Sequence, residues 1–282
     1  MEDAHERTET LAPEPAQSLG GLLGVPVPDL GGGASLPLLW HWLYLLDRPA
    51  QADLGPDGAP VRGTATAFPG RGRRRMWAGG RVDVRGPLRC GEPATKRSRV
   101  LRVQDKQGRS GPLTFITVEH QVWQRDRVVV DERQDLVYRQ AGAPATPPEA
   151  TPPEAEPGPP PRPAGGDWAI EVTPALLFRF SALTYNAHRI HYDRDYARDV
   201  EGYPGLLTHG PLQALAMAEA ARAAGSGDAR PASFAYRLTA PLFDRQGMLV
   251  SVAREQDALI TAVRDASGRL TATGTHRLAR VR

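Results

Sequence analysis

Residues 141 to 166 read AGAPATPPEATPPEAEPGPPPRPAGG. Proline holds φ near about −65° and has no backbone N–H, so so dense a run feeds neither a helix nor a sheet ladder. The pentapeptide TPPEA occurs twice in tandem, and the composition is that of a spacer with no core of its own. The chain of 282 residues therefore divides into 1–140 and 167–282, with a linker at 141–166. Each flanking part is long enough to bury a core.

The two parts share an order of elements. In the first, LPLLWHWLYLLD (36–47) is apolar on every side, which predicts a buried helix. Strands are predicted at 76–85, 97–105, 112–123 and 127–138. In LTFITVEHQVW the residues Ile116, Val118 and Val122 alternate with Thr117, Glu119 and Gln121, the period of a half-buried strand. The second part predicts a strand at 167–173, a helix at about 211–224, and strands at 232–243, 247–256, 258–265 and 269–279. The turns DRQG and DASG separate three of them. One helix followed by antiparallel strands, twice over, is an α+β arrangement. It predicts a tandem (double) hot-dog fold, each sheet wrapped around a helix and the two sheets joined edge to edge.

Composition excludes several roles. A net charge of +3 at a pI near 9.2 is too even for a dedicated nucleic-acid binder. Lysine occurs only at Lys96 and Lys106, so the basic charge is almost all arginine, the side chain suited to phosphate and carboxylate. The single cysteine, Cys90, has no internal disulfide partner, and it reads as a bland buried thiol. The start, MEDAHERTETLAPEPA, carries no apolar signal region. The longest apolar run, LPLLWHWLYLL, is about half the ~20 residues of a membrane span. A cytoplasmic protein without membrane or nucleic-acid partners is expected.

Chemistry concentrates in YNAHRIHYD and in the HGP that follows it. Of seven histidines, His188, His191 and His209 lie in one short region. The H-x-x-H spacing with Asp193 suggests a metal, but it lacks the i, i+4 helical geometry, Arg189 sits between the histidines, and no cysteines cluster nearby. No metal or other cofactor is expected. In His209-Gly210-Pro211, proline suits the first helical position and Gly210 the cap before it. A helix start leaves N–H groups free and carries partial positive charge, and glycine lets a ligand approach closely. Such a start serves as an oxyanion hole for a thioester oxygen becoming an enolate. An ordinary Gly-Pro helix start remains the plain alternative.

The two segments together resemble the MaoC family of (R)-specific enoyl-CoA hydratases and dehydratases. Its motif runs Ser-Gly-Asp-x-Asn-Pro-Leu-His, then a Tyr-Ala-like pair, then His-Gly at the central helix. Here Thr184, Tyr185, Asn186, Ala187, His188, Arg189, Ile190 and His191 stand in that order, followed by Tyr196-Ala197 and His209-Gly210. The resemblance is closer to a subgroup that reads Tyr/Phe-Asn-x-His-x-Ile-His-Tyr-Asp: the fungal mitochondrial hydroxyacyl-thioester dehydratases and the bacterial 3-methylfumaryl-CoA (mesaconyl-C4-CoA) hydratases. RRRMWAGGRV and GPLTFITVEHQ also resemble the latter.

The resemblance implies a catalytic hot-dog unit at 167–282 and a degenerate one at 1–140 that accommodates the acyl group. It implies a hydro-lyase adding water across an enoyl-CoA, with His191 as base, Asn186 holding the water where the family has Asp, and Gly210 N–H on the thioester oxygen. Tyr185, His188 and His209 are expected around the substrate. Arg189 is the candidate for a free substrate carboxylate, with an ion pair to Asp193 as the plain alternative. Arg71, Arg73, Arg74 and Arg75 are candidates for the CoA phosphates, Arg74 foremost. The partner expected is an acyl-CoA thioester, and a homodimer is allowed for. An acyl-CoA thioesterase and a non-catalytic acyl-CoA-binding protein are the competing readings, since the fold alone serves all three.

Overall fold

The structure is a computed structural model that describes residues 5–62, 73–108, 111–140, 167–225 and 231–278. The proline-rich linker and Arg71 lie outside the described residues. The first half contributes β1 (His5–Thr10), α1 (Glu14–Leu23), β2 (Arg73–Val84), β3 (Pro93–Gly108), β4 (Gly111–Gln124) and β5 (Arg127–Gln140). The second contributes β6 (Trp168–Ile170), α2 (Pro174–Leu183), α3 (Gly210–Ala223), β7 (Pro231–Leu238), β8 (Met248–Glu255), β9 (Ala258–Arg264) and β10 (Leu270–Leu278).

These strands form one sheet in the order β1-β3-β4-β5-β2-β7-β10-β9-β8-β6. All its pairings are antiparallel, and local chemistry sets them. Arg125 and Asp126, at φ 51° and 57°, make the two-residue connection of the β4–β5 hairpin, whose backbone twist matches that of the strands. The inward positions Ile116, Val118 and Val122 of β4 and Val130, Leu136 and Tyr138 of β5 are buried, as their alternation requires. The halves meet where β2 pairs β7, with Gly80 opposite Tyr236 and Val82 opposite Phe234. Across this seam Trp77 Nε1 donates to Tyr236 Oη at 2.9 Å.

The second half wraps α3, which packs on β8, β9 and β10. Leu212, Leu215 and Met217 have no exposed surface, and the alanines at 214, 216, 218, 220 and 221 are buried too. Alanine favours the helix and lets it approach the sheet closely. The helix starts one residue earlier than its sequence suggested: His209 is the cap and Gly210 the first helical residue.

The helix expected over 36–47 does not form. Only a 3-10 turn, Trp40–Leu43, exists there, because Leu39 (φ 69°) and Leu45 (φ 53°) are left-handed and close off an α-helix on both sides. The expected burial is present: Leu36, Leu39, Trp40, Leu43, Tyr44 and Leu45 all lie in the core. Trp40 Nε1 donates to Glu219 Oε1 of α3 at 2.8 Å, tying the turn to the other half. The first half's α-helix is instead α1, closed by Gly24 at φ 65°. Helix α2 was also not foreseen; Thr173 Oγ1 caps it by accepting from Leu176 N–H at 3.1 Å, and Pro174 opens it.

Candidate active site

The motif segment starts where α2 stops. Tyr185 turns left-handed (φ 52°), and Asn186 N–H donates back to Ser181 O at 2.8 Å. Asn186 Oδ1 then accepts from His188 N–H at 3.0 Å, an Asx turn that fixes which side-chain atom is oxygen and leaves the Nδ2 hydrogens to face elsewhere. A turn of the first half locks the segment from outside. Arg189 N–H donates to Asp57 O at 2.8 Å, and a Cβ on Gly58 would stand 1.9 Å from Ala187 O, so only glycine permits the approach.

Three imidazoles of this region pack together. His191 Nδ1 lies 2.7 Å from Leu207 O. A carbonyl only accepts, so Nδ1 carries the hydrogen and Nε2 keeps its lone pair. His191 stacks on His209 with centroids 3.7 Å apart, and meets His188 edge-on at 5.6 Å. His209 Nε2 is 2.8 Å from Ser181 Oγ, and its buried Nδ1 has no hydrogen-bond partner among the described residues. Burial, then the neighbouring His188 and the Arg75 charge, push His191 down to about 3, against a weaker upward pull from the Leu207 carbonyl. Burial and Arg75 likewise push His188 down to about 3. Its Nε2 is 3.7 Å from Asp57 Oδ2, too long for a hydrogen bond, and we treat the ring as neutral. His191 is thus a neutral base rather than the near-neutral titrating group its type suggested.

Beside this cluster lies a cavity of about 550 Å³. Tyr185, Asn186 and Pro211 line it from the second half and Trp77 from β2. Ala187 and Tyr192 of the motif also line it, and the three imidazoles do not. Gly210 opens α3 next to Pro211, and among the described residues nothing accepts its N–H. A Cβ here would come within 2.2 Å of Leu238 Cδ1, so a larger residue would have to move the end of that side chain.

Of the expected site residues, Tyr185 and Asn186 line the cavity, while His188, His191, His209, Gly210, Arg189 and Arg74 do not. Arg189 pairs with Asp193 (2.8 and 3.0 Å), donates to Pro56 O and lies 4.0 Å over the Tyr196 ring. Its charge is compensated locally, which is the plain alternative weighed for it. Arg74 bonds Glu201 at 2.6 Å and Val200 O at 3.2 Å, pinning β2 to the segment after the motif. Arg75, its neighbour, is the arginine that lines the cavity.

The first half supplies a polar wall that motif reading missed. His41, Lys96, His120, Glu132 and Gln134 all line the same cavity. Glu132 and Gln134 occupy inward positions of β5 between Val130 and Leu136, and His120 faces Glu132 across the ladder. Charged and polar side chains on the apolar face of an alternating strand were the available signal. Among the described residues no group of three or more His, Cys, Asp or Glu is placed to hold a metal ion. No described helix is long and apolar enough to cross a membrane.

A family model described as hydroxyacyl-thioester dehydratase type 2 matches residues 39–244. A mesaconyl-C(4)-CoA hydratase of Chloroflexus aurantiacus is 47% identical over 225 residues, covering 78% of this chain and 74% of that protein. A MaoC-like dehydratase structure from Phytophthora capsici superposes with TM-score 0.68 at 16% identity, over 99% of this chain and 96% of that one. A Mycobacterium tuberculosis protein described as a double hotdog fold does so with TM-score 0.55 at 17% identity, over 99% and 96%. At such identities the structures speak for the fold alone: the two half-sheets are hot-dog units in tandem.

Proposed function

The chain belongs to the hydroxyacyl-thioester dehydratase type 2 family and is a hydro-lyase of enoyl thioesters; we propose that it hydrates, reversibly, the CoA thioester of a short branched dicarboxylic acid, 3-methylfumaryl-CoA. The observation that carries the proposal is one cavity lined by both Asn186 and Pro211 of the α3 start, with His191 stacked on His209, the cap of that helix. The name of the Chloroflexus relative supports the choice of acyl group.

In the proposed reaction a water held by Asn186 Nδ2 adds to the β-carbon. Its proton passes to His191 Nε2, whose lone pair the Leu207 contact leaves available. The electrons of the double bond move onto the thioester oxygen, where Gly210 N–H and the helix start stabilise the enolate. His191 then returns the proton to the α-carbon. An amide takes no proton near neutral pH, so His191 serves both transfers and Asn186 only positions. Burial makes His191 a weak base in the free site, and the developing enolate charge raises its proton affinity as the reaction advances.

The test is a hydration assay over 3-methylfumaryl-, crotonyl- and itaconyl-CoA, with His191→Ala as control and free thiol measured in parallel. Loss of the enoyl absorbance without thiol release is the expected result. Thiol release would identify a thioesterase, and binding without turnover an acyl-CoA-binding protein. The proposal includes a cytoplasmic location, where acyl-CoA is available, and a homodimer, to be checked by light scattering.

A further inference from the structure

The hydration chemistry uses one wall of the cavity and leaves the opposite, first-half wall without a role. There Lys96 of β3, His120 of β4 and Gln134 of β5 stand on neighbouring strands. His120 is 6% exposed; its Nδ1 is 2.7 Å from Ser98 Oγ, while its buried Nε2 meets the Gln134 side chain without a well-formed hydrogen bond. A buried ring nitrogen left without a full partner costs free energy unless water or a ligand completes it. Lys96 Nζ is held only loosely, 3.5 Å from Asp47 Oδ1, a cavity-lining carboxylate whose same oxygen lies 3.3 Å from His5 Nε2. Glu132 does not spoil the site for an anion. Its carboxylate takes donors from Trp42 Nε1 at 2.9 and 3.0 Å and from Gln134 Nε2 at 2.8 Å, and lies 2.9 Å from His41 Nε2. Its charge is therefore spread over neighbours rather than presented to the cavity.

We propose that Lys96 and His120 receive the free carboxylate of the acyl group, so that the first half selects dicarboxylic over monocarboxylic acyl chains. With Ser98 donating to Nδ1, the Nε2–H of His120 donates to one carboxylate oxygen and the Lys96 ammonium to the other, a charge-assisted pair. The acyl group spans the cavity from the start of α3 to this wall. Sequence alone pointed to Arg189 for this task, whose charge is already compensated. The inference takes its ligand from the hydratase reading, but recognition is a matter of binding and is tested without turnover.

The probes are two saturated thioesters that differ only in the carboxylate, 3-methylsuccinyl-CoA and isovaleryl-CoA, titrated calorimetrically into the full chain. The native protein is expected to prefer the dicarboxylic thioester on the order of ten- to a hundredfold. Lys96→Met and His120→Leu should each shrink that ratio about tenfold, and Lys96→Arg should keep most of it. A native ratio near one, or a ratio that Lys96→Met leaves unchanged, overturns the proposal. Should His120→Leu fail to fold, Lys96→Met decides alone. Preference without any hydration of 3-methylfumaryl-CoA would sink the hydratase reading and spare the carboxylate receptor. Hydration without preference would do the reverse.

Discussion

The imidazoles of His191 and His209 lie face to face, centroids 3.7 Å apart and planes inclined by 17°. Each ring is anchored at its edge, His191 by the Leu207 carbonyl and His209 by Ser181. Two imidazolium cations at this spacing would repel strongly out of water, so the stack holds at most one proton. Burial pushes His209 well below its usual range, and His191 adds to that. The arrangement keeps a neutral proton acceptor in a buried position.

Removing that acceptor should separate chemistry from binding. His191→Ala is expected to lower kcat on the order of 10²- to 10⁴-fold, while the Kd of a saturated thioester moves little. Steady-state hydration and calorimetry measure the two. Hydration at the native rate would remove His191 from the mechanism.

The pH profile follows from the same burial. The base works when neutral, and with His191 pushed down to about 3 it is neutral throughout the usual assay range. The value of kcat/KM should therefore stay level between about pH 8 and pH 5 on its acid side. An acid limb centred near the unperturbed histidine value of about 6.5 would contradict the buried geometry.

Stability should behave differently. His188 and His191 sit at about 3 and His276 at about 4 in the folded protein, all lowered chiefly by burial, against about 6.5 unfolded. Between those values the unfolded chain binds more protons than the folded one, so stability rises with pH. It is complete above about pH 6.5 and declines as pH falls toward the folded values. Denaturant titrations at pH 7.5 and 5 should show a lower midpoint at 5; equal midpoints would mean these rings are solvated.

Asn186→Asp keeps an acceptor for His188 N–H but places a negative charge beside the imidazoles. The charge favours imidazolium, so the pKa of His191 should rise and an acid limb should enter the measurable range. A profile identical to the native one would show that position 186 does not communicate with the base.

Arg189→Gln tests the older candidate for the substrate carboxylate. Its guanidinium is bound to Asp193 and Pro56, and the pair is partly exposed. A loss of at most about 1 kcal/mol in stability is expected, with little change in KM. A tenfold rise in KM confined to dicarboxylic substrates would return the role to Arg189.

The strands and the motif segment were legible because their signals are local. Alternation places residues on faces, and Asn186, His191 and Gly210 lie within one stretch of chain. The run LPLLWHWLYLL was misread because uniform apolarity announces burial, not helix, and nothing in leucine's side chain marks the left-handed turns at Leu39 and Leu45. Helix α1 carried Pro15 near its start and Gly24 after its end, signals easily overlooked in an acidic leader. The polar wall was hidden for a different reason. His120 and Glu132 share a cavity with Asn186 because the halves associate, chiefly through the β2–β7 pairing, which brings together residues about 150 apart and leaves no pattern in either half.

That pairing also works as a gauge. Its register places the elements that do the chemistry at a set distance from the wall on the other side of the cavity. A slip of one residue would turn every side chain to the wrong face, so the smallest tolerable slip is two, about 6.8 Å along the strand. Gly79 and Gly80 forbid it: a Cβ on Gly79 would stand 2.5 Å from Tyr236 O, and one on Gly80 would stand 2.5 Å from Arg133 O and 2.8 Å from Tyr236 Oη. No other neighbouring pair of residues in β2 could lie against Tyr236 in this way. Under the proposed reading, the length of acyl chain the cavity accepts is thus written into two missing side chains at a seam, away from the residues proposed to touch the substrate.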